Sequence, residues 1–236
     1  MKNTALPSSK RRYFLRVIGG VGITSLSIPN YLIGAKPSAA LNRSGVLLEA
    51  SAFTKTGGWK IDTQHYLQMG GNYLLAHGMG KPVEDAETVV NLPAPGTWNV
   101  WVRNRDWCKG KWQSPGRFQV LVEGKPLQVT FGEAEESWHW QSGGSVEIAK
   151  AGKTKISLRD LTGFDGRCDA IYFTQETNPS LPGDDLKELS DWKDLLTGRS
   201  DEKIEELSFD LVIVGGGMSG CGAALAARSQ GLKVAL

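Results

Sequence analysis

The run Pro93-Ala94-Pro95-Gly96-Thr97-Trp98-Asn99-Val100-Trp101-Val102-Arg103 decides how the middle of the chain is read. Two prolines and a glycine make a strong turn, and residues 99–103, rich in valine and tryptophan, read as a strand. Working outward, residues 118–122 form another strand that runs into Glu123-Gly124-Lys125, a hairpin tip. Further strand candidates are 46–48, 88–92, 145–148, 155–158 and 170–174. Between residues 45 and 177 there is little sustained helical period and no internal repeat. About seven or eight short strands at this spacing argue a β-sandwich.

Three stretches make this segment resemble a known family. They are Leu48-Glu49-Ala50-Ser51-Ala52-Phe53 with Gly57-Gly58-Trp59, the Pro95 to Arg103 run, and Leu161-Thr162-Gly163-Phe164-Asp165-Gly166-Arg167-Cys168-Asp169-Ala170-Ile171-Tyr172-Phe173. Together they look like the galactose-binding-like sandwich found ahead of the catalytic part in bacterial FAD-dependent oxidoreductases, some of them xanthan-lyase-like. The resemblance runs along the whole chain as that family's N-terminal portion. It implies a carbohydrate-binding-like accessory domain in which loop tryptophans stack on sugar rings. Trp107, Trp112, Trp138 and Trp140 fall in loop-like contexts beside Arg105, Asp106, Lys109 and Glu136, the mixture a sugar platform needs. The competing reading places several of these tryptophans, with Trp98 and Trp101, in a core or interface. The resemblance also implies a structural calcium ion held by Glu49 of the first strand and Asp169 of the last, although Ala50 and Ser51 supply no second acid there.

Past the sandwich, Pro179, Pro182 and Gly183 break the last strand. Residues 184–197 then read as an amphipathic helix carrying Leu186, Leu189, Trp192, Leu195 and Leu196, ended by Gly198, within a linker of residues 178–208. The acidic pairs Asp201-Glu202 and Glu205-Glu206 read as a solvated face.

From residue 209 the chain reads Phe-Asp-Leu-Val-Ile-Val-Gly-Gly-Gly-Met-Ser-Gly-Cys-Gly, an apolar strand followed by a Gly-x-Gly-x-x-Gly turn at Gly215, Gly217 and Gly220. An alanine-rich helix, Gly231 as its stop and a second apolar strand at Leu232 complete the opening corner of a dinucleotide-binding βαβ unit. Gly215 permits the tight turn, Gly217 lets a pyrophosphate approach the backbone, and Gly220 lets helix and strand pack. The candidate cofactor contacts are Gly215, Gly216, Gly217, Met218, Ser219 and Gly220, through N–H groups at a helix N-terminus. The acidic residue that grips the ribose falls about 20 residues past such a turn, beyond Leu236. The turn accommodates either nicotinamide or flavin dinucleotides, and the family resemblance selects FAD.

Composition is that of an ordinary globular protein, with 40% hydrophobic and 22% charged residues. The net charge of +2 hides an asymmetry: residues 1–40 carry Lys2, Lys10, Arg11, Arg12, Arg16 and Lys36 and no acid, so the remainder is net acidic. Nothing in that remainder calls for nucleic acid. Ser9-Lys10-Arg11-Arg12-Tyr13-Phe14-Leu15-Arg16, then an interrupted apolar stretch and Ser38-Ala39-Ala40, resembles a twin-arginine export signal. That implies passage through the twin-arginine export machinery to the periplasm, with membrane contact only through this segment if it stays uncleaved. Three cysteines fit an exported protein without a disulfide framework; Cys221 reads as packed, and pairing of Cys108 with Cys168 is left open by the sequence. His65, His77 and His139 are scattered and read as ordinary polar residues.

The expectation is therefore a mainly β protein: a signal segment over 1–40, a galactose-binding-like β-sandwich over 45–177, a linker helix within 178–208, and, over 209–236, the truncated first βαβ corner of a Rossmann-type FAD-binding domain. As a function this is the N-terminal part of an exported FAD-dependent oxidoreductase, inactive by itself and with no catalytic residue to name. The alternative is a carbohydrate-binding or interaction module with a vestigial dinucleotide-binding corner.

Overall fold

The structure is a computed structural model and describes residues 45–201 and 206–236. The export segment, Glu202 and Glu205 lie outside the described residues. The described residues fall into two compact units, one holding 45–201 and the other 206–236.

The first unit is built from two antiparallel sheets. One contains β1 (Gly45–Glu49), β2 (Lys60–Asp62), β3 (Tyr73–His77), β5 (Gly96–Asn104), β8 (His139–Ile148) and β10 (Phe164–Thr174). The other contains β4 (Ala86–Leu92), β6 (Phe118–Val122), β7 (Lys125–Pro126) and β9 (Gly152–Asp160), in the order β4-β9-β6-β7. The long strand β10 organises the first sheet. It pairs with β5 along one edge, while β3 and β1 share the other edge end to end.

Alternation explains the layering. In β5, Trp98, Val100 and Val102 point inward, and in β10 so do Cys168, Ile171 and Phe173. They meet Phe118, Val120, Ile156 and Leu158 of the second sheet in one core, where Trp59 lies edge-on to Phe118 at a centroid distance of 5.6 Å. This is a β-sandwich, as the strand spacing predicts. The hairpin tip between β6 and β7 places Glu123 at φ 50° and Gly124 at φ 77°, the doubly positive conformation of a tight two-residue hairpin.

The outward face of the six-stranded sheet is partly covered. A one-turn helix α1 (Tyr66–Met69) closes over Tyr73 and Trp138. Helix α2 (Leu186–Thr197) then lies on the sandwich, so the segment read as a linker is part of this unit. Asp185 caps it by accepting the Glu188 N–H at 2.8 Å, and Gly198 ends it at φ 77°. Leu189, Trp192 and Lys193 form its buried face.

In the second unit β11 (Leu211–Val212) pairs in parallel with β12 (Val234–Ala235), joined by α3 (Met218–Ser229). This is a βαβ corner. Among the described residues β11 has one strand neighbour, and Val214 just beyond it is exposed. Cys221, read as packed, is also exposed. No described helix is long and apolar enough to cross a membrane.

Candidate functional site

The loop of residues 105–117, between β5 and β6, carries two of the four platform tryptophans and is held from beneath. Asp106 is fully buried and accepts the Cys108 N–H at 2.9 Å and the Ser114 hydroxyl, while its own N–H bonds the Glu135 carbonyl at 2.7 Å. Such local turns replace the missing sheet hydrogen bonds and fix the loop. Trp107 donates Nε1–H to the Phe164 carbonyl at 3.0 Å, and the Arg167 guanidinium sits 5.4 Å from its ring centroid. The indole is thereby anchored with 36% of its surface left to solvent. Trp112 donates to the Cys108 carbonyl at 2.9 Å and is 61% exposed. Phe164 and Met79 are exposed, and His77 bonds Asp165 on the neighbouring strand.

The other two tryptophans do not join this platform. Trp138 is 5% exposed and stacks edge-on against Tyr73 at 5.1 Å, under α1. Trp140 lies in β8 and packs against Trp192 of α2 at 5.5 Å, with Tyr172 5.0 Å from Trp192. Trp140 faces protein because β8 begins at His139, further back than the sequence suggests, and Trp138, just ahead of it, packs with Met69 and Tyr73. A sugar has no face of Trp138 to stack on.

Glu49 and Asp169 are adjacent in the sheet, since Glu49 pairs with Ala170, but both are taken by protein cations. Asp169 is buried and accepts Arg103 Nη1 at 2.9 Å and Lys193 Nζ at 3.0 and 3.1 Å. Glu49 accepts Arg199 Nη1 at 2.7 Å, and Arg199 is shared with Asp194 at 2.6 Å. Calcium takes about six to eight oxygen ligands, and here ammonium and guanidinium groups fill that coordination space. The residues do not fit the ion, and no group of three or more metal-ligating side chains exists among the described residues. Arg103, Lys193 and Arg199 are the residues that sequence reasoning missed.

A second polar cluster lies beside Trp107. His65, at the start of α1, places Nε2 3.4 Å from Arg105 Nη1 and Nδ1 3.0 Å from Gln68 Oε1. Burial, then the Arg105 charge, pushes the His65 imidazole below its usual 6.5. Burial, then Arg167, likewise lowers Arg105, and burial raises the Tyr73 phenol. Arg105 lines a cleft of about 630 Å³ with Gln68, Glu136, Asp184 and Asp185.

Cys168 faces the core, where burial pushes its thiol far up and leaves no path to Cys108; both are free thiols.

In the second unit the glycine-rich turn lies between β11 and α3. Gly215 adopts φ 115°, open only to glycine, and a Cβ on Gly220 would collide with the Gly215 carbonyl oxygen. Gly217 is the N-cap of α3, and a Cβ there would meet open space; the N–H groups of the first helical residues have no partner within the helix ladder.

The scan against protein-family models gives no match. The search of curated proteins also gives none. Among solved structures the chain is similar to a β-(1,4)-mannanase carrying a GH26 and a CBM35 module from Podospora anserina, at 20% identity and TM-score 0.45, over 60% of this chain and 29% of that one. It is similar to a family 35 carbohydrate-binding module from Clostridium thermocellum, at 16% identity and TM-score 0.43, over 55% of this chain and 97% of that one. A Paenibacillus xanthan lyase matches at 16% identity and TM-score 0.41, over 55% of this chain and 13% of that one.

Proposed function

We propose that residues 45–201 form a carbohydrate-binding module whose platform is the loop of residues 105–117, with Trp107 as its anchor and Trp112 beside it. The Trp107 ring carries this reading. Its Nε1–H is satisfied by a backbone carbonyl and a guanidinium backs the ring, so about a third of the indole stays in water in a fixed orientation. A solvent-facing indole that is already ordered loses little freedom when the apolar face of a sugar ring covers it. Lys109, Glu135 and Glu136 nearby offer charged partners for hydroxyl groups, the few polar contacts that orient a ligand on an apolar surface. The test is affinity electrophoresis of the 236-residue chain through gels containing neutral or acidic polysaccharides. Retardation is expected in at least one gel, weakened about tenfold or more, 1.4 kcal/mol, by Trp107→Ala. Equal migration of wild type and variant in every gel overturns the reading.

For residues 209–236 the collision at Gly220 and the positive φ of Gly215 favour a second reading, a dinucleotide-phosphate corner. In a polypeptide that carries the rest of such a sheet, the N–H groups of residues 216–220 would hold the pyrophosphate of FAD. Bound flavin would supply the electron transfer of an oxidoreductase. Export through Arg11 and Arg12 to the periplasm belongs to the same proposal.

A further inference from the structure

We propose that Arg105 and Arg167 form a receptor for an oxyanion, either the carboxylate of an acidic sugar or a free inorganic anion, on the outward face of the six-stranded sheet beside Trp107. The acidic-sugar form rests on the carbohydrate reading; the inorganic form does not.

The register of β10 against β5 pairs Cys168 with Asn104, which sets Arg167 and Arg105 side by side across the two chains. Like charges in cross-strand positions repel. Among the described residues neither arginine forms an ion pair with a carboxylate. Arg167 is 7% exposed, gives Nη1 to the Asp165 carbonyl at 3.0 Å, and has no partner for Nε. Arg105 also buries an unpartnered Nε. A buried guanidinium without a counter-ion is costly unless something supplies one. His65 and Arg105, lowered by burial and by the neighbouring arginine charge, register the same excess of positive potential.

The nearby acids are engaged elsewhere. Asp184 accepts Arg103 Nη2 at 3.2 Å, Asp185 caps α2, Asp106 holds its own loop, and Asp165 bonds His77. Asp62 accepts the Gln64 N–H at 2.6 Å. Of the three acids that line the cleft with Arg105, Asp184 and Asp185 have these other partners, while Glu136 acts on Arg105 through its charge without a hydrogen bond to it. An oxyanion would compete with Glu136 for Arg105 and would match the planar donor fork of a guanidinium.

The experiment follows the His65 ring protons of the full chain by NMR against pH, at constant ionic strength, with sodium glucuronate, glucose or sodium sulfate. Glucuronate and sulfate should each raise the His65 pKa, and glucose should not. Arg105→Gln should weaken glucuronate binding at least about tenfold, and Glu136→Gln should strengthen it. If sulfate moves His65 and glucuronate does not, the anion receptor stands and its acidic-sugar form falls. If glucose and glucuronate bind equally with His65 unmoved, the carbohydrate reading stands and this inference is overturned. No movement of His65 with any probe, or unchanged binding in Arg105→Gln, overturns it as well.

Discussion

Replacing Asp169 by asparagine should be among the most damaging single changes in the sandwich, and more damaging than removing the lysine that faces it. Asp169 and Arg103 are each 1% exposed, and Lys193 is buried with them. The carboxylate accepts three charge-assisted hydrogen bonds from the two cations. Asparagine removes the charge and turns an NH2 donor toward the cations, leaving buried Lys193 without a carboxylate partner and Arg103 with only the exposed Asp184. Breaking a buried pair in this way costs roughly 3–5 kcal/mol. Lys193→Met keeps an apolar stem of similar length and leaves Asp169 paired with Arg103, so only hydrogen bonds to a charged group are lost, about 1.5–3 kcal/mol. At roughly 2–4 °C per kcal/mol for a unit of this size, Asp169→Asn should lower Tm by about 6–20 °C and Lys193→Met by less. All 8 tryptophans lie in this unit, so indole fluorescence reports its unfolding alone. Calcium and chelator should give the same melting curve for the wild type, because the ion's coordination space is filled. The reasoning is refuted if Asp169→Asn melts within about 2 °C of the wild type, if Lys193→Met is the worse variant, or if calcium raises the wild-type Tm.

Three other outcomes follow from particular residues. His65 has its pKa held below 6.5 by burial and by Arg105, so the unfolded chain takes up a proton first and stability falls as pH drops below 6.5 toward the folded value; urea midpoints against pH should show this slope, and His65→Gln should flatten it. Arg11→Lys with Arg12→Lys should leave the precursor in the cytoplasm at unchanged net charge, and fractionation showing normal periplasmic accumulation would remove the export proposal. In a polypeptide with the whole α/β domain, Gly220→Ala should abolish flavin absorbance after purification, since its Cβ meets the Gly215 carbonyl; full retention would remove the corner's assigned role.

What the sequence made legible was local. Strands β1, β4, β5, β6, β9 and β10 announce themselves by β-branched and aromatic runs between turn residues, and the Gly215 to Gly220 corner by spacing that only close backbone packing requires. Strands β2 and β3 were not legible because they lie on either side of His65, Gln68, Gly70 and Gly71, where no period is sustained. Trp138 and Trp140 read as loop residues because acids precede them and Gly143-Gly144 follows, yet β8 bends through those glycines and carries Trp140 under α2. The ion cluster was out of reach for a different reason. Lys193 looks like a solvated helix residue until β10 presents Asp169, 24 positions earlier, to the helix's inner face. Likewise the juxtaposition of Arg105 and Arg167 exists only in the register of β10 on β5.

Docking of α2 has a consequence for where this unit can meet a ligand. Leu189, Trp192 and Lys193 occupy the outward face of the six-stranded sheet over Asp169, Tyr172 and Trp140, a surface rich enough in aromatic rings to have served as a platform had it been open. Burying Trp192 and satisfying Asp169 favour the closed arrangement together, by apolar burial and by charge pairing. Of the exposed aromatic side chains in this unit, Trp107, Trp112 and Phe164 lie at the loop end and only Tyr66 lies on α1. Phe164 opens β10, and its carbonyl fixes Trp107. The strand that buries Asp169 under the helix therefore also aims the exposed indole, and one element of the fold closes one face while presenting the other.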